Sequence, residues 1–263
     1  MRKFLTFLIL MAMPLQAAEK PKDLTFFLLE RVFPHVAVGG VWSSSLILMN
    51  LDSEGVQFSV LFFTPTGEPW VVTDSNGASF SQLNVTVGGL GMVVVELPST
   101  GPEIETGWAL LDLPDGATIG GQLIFRDNGG PDRPIPFEAV SPLTSFSEGS
   151  DNVNPSALTV FAPFDQSNGF NTCLAIANPM NIAVNVVLIY SVLGEGVLED
   201  ATETVTLAAG SQQSFCLRGR EEGLEGRRGY VTIARGADTF LAVLGLRFDP
   251  QGAFTTLFPM SLL

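Results

Sequence analysis

The sequence predicts an all-β fold, two tandem immunoglobulin-like antiparallel β-sandwiches, and three observations predict it. The chain spends 27 glycines and 17 prolines against only 13 lysines plus arginines, its apolar segments are short and alternating, and its first half can be laid on its second. Long surface helices normally carry abundant Lys and Glu, whereas tight turns between strands need Gly and Pro. A hydrophobic fraction of 46% with 15% charged residues excludes a disordered chain, and a formal net charge of -14 excludes a nucleic-acid partner, which requires a basic surface.

The first element is a targeting segment. Met1, Arg2 and Lys3 open it, residues 4–15 are apolar but for Thr6, and Gln16, Ala17 and Ala18 give a small-residue exit before Glu19. That is a secretory signal peptide over residues 1–18, because an apolar run of about 12 residues is short of the roughly 20 that cross a bilayer. The mature chain is therefore expected to be secreted, periplasmic or extracellular, with no membrane span. What remains is strongly acidic: no Lys or Arg lies between Arg31 and Arg126, while Asp52, Glu54, Glu68, Asp74, Glu96, Glu103, Glu105, Asp112 and Asp115 do. Solubility is the simplest use of that charge, and a cation or a basic partner the sharper one.

The repeat organises the rest. Residues 42–50 run beside residues 170–178, and residues 56–62 beside 184–190 at the same offset, so no gap is needed. Residues 85–89 match 205–209, residues 107–111 match 229–233, and residues 137–143 match 254–260. Val56, Phe58, Val60 and Phe62 alternate with Gln57 and Ser59, as Val184, Val186 and Leu188 do around Asn185, so each strand has one core face and one wetter face. Copies of about 110 residues suffice for independent cores. The boundaries are residues 24–143 for the first sandwich, a polar join at 144–156, and residues 157–263 for the second.

Residues 33–42, with Pro34, Gly39, Gly40 and Trp42, and residues 162–170, with Pro163, Asp165 and Gly169, resemble the opening strand and turn of tandem immunoglobulin-like or fibronectin-III-like modules in uncharacterised exported proteins of soil bacteria. The resemblance covers nearly the whole mature chain and implies fold and export. It carries no catalytic residues, and the Cys, Trp, Cys framework of antibody domains is missing.

Two cysteines, Cys173 and Cys216, both lie in the second copy. Leu174 and Ile176 match Leu46 and Leu48 as core positions, turning Cys173 outward, and Cys216 falls at the position of Glu96, also outward. If the two strands are neighbours, as in immunoglobulin-type sheets, a disulfide across one sheet follows; two free thiols are the alternative. His35 is the sole histidine, which removes most His-based metal sites and catalytic triads, and no Gly-x-Ser-x-Gly elbow exists. No catalytic residue, metal site or cofactor is assigned. Residues 97–101 match a sortase anchoring pattern but are internal, so they read as a strand end and turn. Turns at residues 127–132 and 165–169 carry oxygen ligands without completing an EF-hand loop, and the Gly-rich residues 218–228, which mix both charges, read as a solvated connection or a contact loop.

The aromatic residues supply the binding hint. Trp108 and Tyr230 hold matched positions opposite their strands' core sets, and Trp70 lies beyond the third strand. Outward rings anchor proteins or stack on sugars, whereas packing at a sheet edge or domain junction is the plainer role. The reading is a secreted, non-enzymatic interaction, adhesion or envelope-scaffolding protein with a protein or polysaccharide partner; the alternative is a carbohydrate-binding protein using Trp70, Trp108 and Tyr230. An outer-membrane barrel is a third reading, disfavoured by the repeat.

Overall fold

Strands whose alternate side chains are apolar can close a core only by stacking sheet on sheet, and that is what the chain does. The computed structural model describes residues 31–130, 136–145, 159–236 and 239–261, and among them there is no α-helix. The first half contains β1 (Arg31–Val38), β2 (Trp42–Asn50), β3 (Val56–Phe63), β4 (Val72–Thr73), β5 (Ser79–Phe80), β6 (Gln82–Val87), β7 (Met92–Leu97), β8 (Glu105–Asp112), β9 (Ile119–Asp127), β10 (Phe137–Pro142) and β11 (Thr144–Ser145). The second contains β12 (Thr159–Asp165), β13 (Asn171–Ala177), β14 (Val184–Val192), β15 (Gly196–Leu207), β16 (Gln212–Cys216), β17 (Arg228–Arg235), β18 (Ala242–Phe248), β19 (Phe254–Leu257) and β20 (Met260–Ser261).

The first half forms a sheet in the order β11-β1-β8-β3-β6 and another in the order β10-β9-β2-β7, with a small β4-β5 pair beside them. The second forms sheets in the orders β15-β14-β17-β12-β20 and β16-β13-β18-β19. Replacing each strand by its sequence counterpart turns the first two orders into the second two. Every sheet draws its strands from one half, so the described strands form separate antiparallel sheets and not one continuous barrel wall. The expected signal segment lies outside the described residues, as does most of the expected join. Its first two residues, Thr144 and Ser145, are instead β11 and pair with Val32 and Arg31.

Three local devices recur in both halves. Buried Asn50 donates through Nδ2 to the carbonyls of Glu54, Val87 and Gly88 and accepts the Asp52 N–H, while buried Asn178 donates to Ile182, Leu207 and Ala208 and accepts the Met180 N–H. The Ser44 hydroxyl bridges the backbone N–H and carbonyl of Ala37, as the Thr172 hydroxyl bridges those of Asp165. Gly107 and Gly229 face the carbonyls of Phe63 and Ser191, where an added Cβ would come within 2.2 and 1.9 Å. Any side chain there would push β8 off β3, or β17 off β14.

Sequence matching fails in one place. Phe137 pairs with Asp127, but Phe254 pairs with Phe248, the counterpart of Arg126, so the two final strands are one residue out of step. A one-residue slip exchanges faces. Phe254 is thereby turned out of its own sandwich and lies 5.2 Å from the Trp42 ring of the first half.

The halves are not beads on a string. Val32, Trp108 and Leu110, pointing outward from the first five-stranded sheet, pack against Ala177, Phe240 and Ala242 of the second half. Ala175, Leu244 and Phe254, pointing outward from the second four-stranded sheet, join the core cluster of the first. Polar contacts seal the seam: Trp108 Nε1 donates to the Gly210 carbonyl (3.0 Å), Gln212 Nε2 to the Pro34 carbonyl (2.8 Å) and Thr256 Oγ1 to the Val140 carbonyl (2.5 Å).

Candidate functional site

The three aromatics selected from the sequence are not brought together, and two are not available to a ligand. Trp70 is buried: its indole N–H donates to Glu105 Oε2 (3.1 Å), and its ring lies over Gly107, where a Cβ would come within 2.6 Å of it. Trp108 does point away from its own core, as alternation requires, but only 1% of it is exposed. The second half covers it, so it is a junction residue; alternation fixes which face a side chain takes, not what covers that face.

Tyr230 is different, with 42% of its surface exposed. It sits on the outer side of the second five-stranded sheet, edge-on to Phe161 with ring centroids 5.6 Å apart. Cross-strand register places its neighbours. Ser191 pairs with Tyr230 and with Val197, Thr232 with Ile189 and Phe161, and Phe161 with Met260, so all share one face. Val197 and Met260 are exposed. The face continues through Thr159, Pro163, Val187, Ala234, Thr202 and Thr204, none of them charged, and is bounded at one end by the Asp165–Arg228 ion pair. In a chain with 27 acidic residues that run of uncharged positions stands out. Phe161, Ile189, Val197 and Met260 escaped the sequence reading, although each lies opposite its strand's core set.

The two cysteines are joined as expected. Cys173 of β13 pairs directly with Cys216 of β16, and the described residues hold no free cysteine. The Asp165 turn is already occupied by protein cations: Arg228 and Arg247 approach the carboxylate at 3.1 and 3.2 Å, and the Ser167 hydroxyl donates to it at 2.7 Å. Burial opposes its ionisation, but Ser167 and Arg228 outweigh burial and hold its pKa below the usual value. In the other turn Asp127 accepts the Gly129 N–H, and Asp132 lies outside the described residues. No cluster of three potential metal ligands occurs among the described residues, and no helix among them is long and apolar enough to cross a membrane.

The mixed-charge loop splits into two roles. Arg218 donates to the carbonyls of Gly169 and Phe170, tying two loops at one end of the second half around a cavity of about 880 Å³ that Glu221, Glu222 and Glu225 also line. Arg220 turns back instead, forming a bidentate pair with Glu203 and lying 3.9 Å from the centre of the Phe215 ring. Glu203 also accepts from the buried Tyr190 hydroxyl at 3.3 Å. Hydrogen bonds from Arg220 hold the Glu203 carboxyl low, while burial, with the carboxylate beside it, pushes Tyr190 up to about 12. The triad is a fully paired structural bracket.

His35 sits on β1 where the register shifts between Phe33 and Val36. Its Nδ1 meets Gln212 Nε2 at 2.8 Å, and its ring lies 5.5 Å from Phe125. Desolvation lowers its pKa to about 4, so it is neutral at pH 7 and belongs to the seam between the halves. No protein-family model, no curated protein and no solved structure matches the chain.

Proposed function

We propose that the chain is an exported, non-enzymatic interaction protein, serving adhesion or envelope scaffolding, built from two immunoglobulin-like or fibronectin-III-like sandwiches that arose by internal duplication. The observation that carries this reading is the uncharged apolar face around Tyr230 and Phe161 in an otherwise acidic chain, since such a face gains most from contact with another surface. The matched strand orders, the paired Asn50 and Asn178 brackets and the paired glycines support the duplication. The Cys173–Cys216 disulfide, together with the cleavable pattern of residues 1–18, supports export to an oxidising compartment. Sugar stacking on a row of tryptophans finds no support, because Trp70 and Trp108 are buried.

Cell fractionation tests export: the expected product is an oxidised chain beginning near Glu19 outside the cytoplasm, and an intact reduced chain inside it would overturn the reading. Binding of the chain to its native envelope fraction, at a concentration too low for self-association, tests interaction. Tyr230→Asp should weaken that binding at least tenfold, and unchanged binding would remove the face from the proposal.

A further inference from the structure

The seam between the halves has a direction: the outer side of a five-stranded sheet meets the outer side of a four-stranded sheet. Because the strand order repeats, this arrangement uses one face of each kind and leaves one of each unused. The unused five-stranded face is that of Tyr230, Phe161, Ile189 and Met260. The unused four-stranded face belongs to the first half, where Ile47 pairs with Val94 and Met49 with Met92 across β2 and β7. Met49, Met92 and Val94 are 41, 62 and 43% exposed.

We infer that these two faces bind each other between molecules, so that the chain associates head to tail with further copies of itself. The internal seam is the pattern for the contact, in which the same two kinds of face meet. Inside the chain, bulky Trp108, Phe63 and Leu110 meet Ala177 and Ala242, while Ala175 packs into the core cluster of the first half. At the free faces the counterparts of the bulky set include the smaller Tyr230, Ser191 and Thr232, while Ala175, Ala177 and Ala242 have Ile47, Met49 and Gly120 at the equivalent positions. Bulk thus falls on the five-stranded side and rises at Ile47 and Met49, though not at Gly120, on the four-stranded side. The charged side chains of the two faces lie towards their margins and are paired, Arg126 with Glu138 on one and Arg228 with Asp165 on the other, while Glu96 accepts from Ser45; longer-range repulsion in the acidic chain is screened by salt. A contact between unlike faces leaves one face of each kind free at the ends of a dimer and permits growth beyond it, to a closed ring or an open filament. The inference deepens the interaction reading and rests on its Tyr230 face.

Sedimentation of the purified chain over a range of concentrations at about 0.15 M salt is the test. The expected result is an average mass that climbs past twice that of the monomer. Tyr230→Asp and Met49→Asp should each leave only monomer, yet an equimolar mixture of the two should give a one-to-one dimer, because each variant retains the face the other lacks. Tyr230→Lys, which reduces the net negative charge, should abolish growth as well. Val94→Asp and Met260→Asp replace the first pair if either variant fails to keep the parent circular dichroism spectrum. A monomer at every concentration overturns the inference, as does a dimer lost in Tyr230→Asp but intact in Met49→Asp, which would join two like faces. A monomeric chain that still binds the envelope fraction refutes self-association alone; an associating chain that ignores the envelope refutes the adhesive role alone.

Discussion

Asn50 and Asn178 each spend a side-chain amide on three backbone carbonyls and accept the N–H two residues on. Each closes the turn after the second strand of its half against the end of the sheet opposite. Both are essentially inaccessible to water, at 1% and 0% exposure, so no solvent replaces the bonds if the side chain goes. Their role follows from geometry that alternation cannot supply: a strand-end polar residue reads as solvated until the carbonyls around it are known.

Asn50→Ala and Asn178→Ala should therefore each destabilise by about 2 to 4 kcal/mol, the cost of leaving buried carbonyls without donors. The aspartate variants should be worse, since a carboxylate would face three carbonyl oxygens. Urea unfolding measures both, and losses below about 0.5 kcal/mol would show that water reaches the turn.

The Cys173–Cys216 bond and the Ser45–Glu96 hydrogen bond occupy the same register position in the two halves. A covalent link spanning 43 positions should stabilise by about 4 kcal/mol in the chain-entropy model. Denaturing the unreduced protein should expose no reactive thiol, and Cys173→Ala with Cys216→Ala should lower stability by an amount of that order. Cys173→Ser with Cys216→Glu copies the pair of the first half and should recover part of the loss. If the copied pair is no better than the alanines, the outer-face hydrogen bond contributes nothing there.

Strand positions, core sets, the cysteine register and the Gly107 and Gly229 match were all legible in the sequence, because each is set by alternation and close backbone approach within one half. Burial of Trp108 was not, since it depends on how two finished sandwiches meet. Nor was the turning-out of Phe254: the sequence match of the last strands is good, but their register is set by the connection before β19, which no side-chain pattern reports. The uncharged face around Tyr230 was half legible, because Phe161 and Met260 were readable as outer residues but their adjacency rests on pairing between distant strands.

Matched positions thus have unlike energetics. Trp108→Ala should cost about 3 to 5 kcal/mol, combining a cavity at the seam with an orphaned Gly210 carbonyl, whereas Tyr230→Ala should change stability by less than about 1 kcal/mol. Acrylamide should barely quench Trp108 in a variant retaining that tryptophan alone. Strong quenching would mean that the halves separate in solution.

The seam should also sense acid through His35. Its Nδ1 accepts from Gln212, whose amide also donates to Pro34, so a proton on Nδ1 would set donor against donor. The folded pKa, about 4, is below the ordinary 6.5, so between those values the unfolded chain binds more protons than the folded one. Stability therefore rises with pH through this window: the His35 contribution is complete above about pH 6.5, falls as pH drops, and levels off below about pH 4 after a loss of about 1 to 3 kcal/mol. Asp165 and Glu203, held below their usual values, lose stability in the same direction, but through the lower, carboxylate range. Denaturation midpoints at pH 7 and pH 5 isolate the histidine, because those carboxylates stay ionised at both. The parent should lose stability between them and His35→Gln should lose markedly less; equal losses in parent and variant would place the acid sensitivity elsewhere than at this contact.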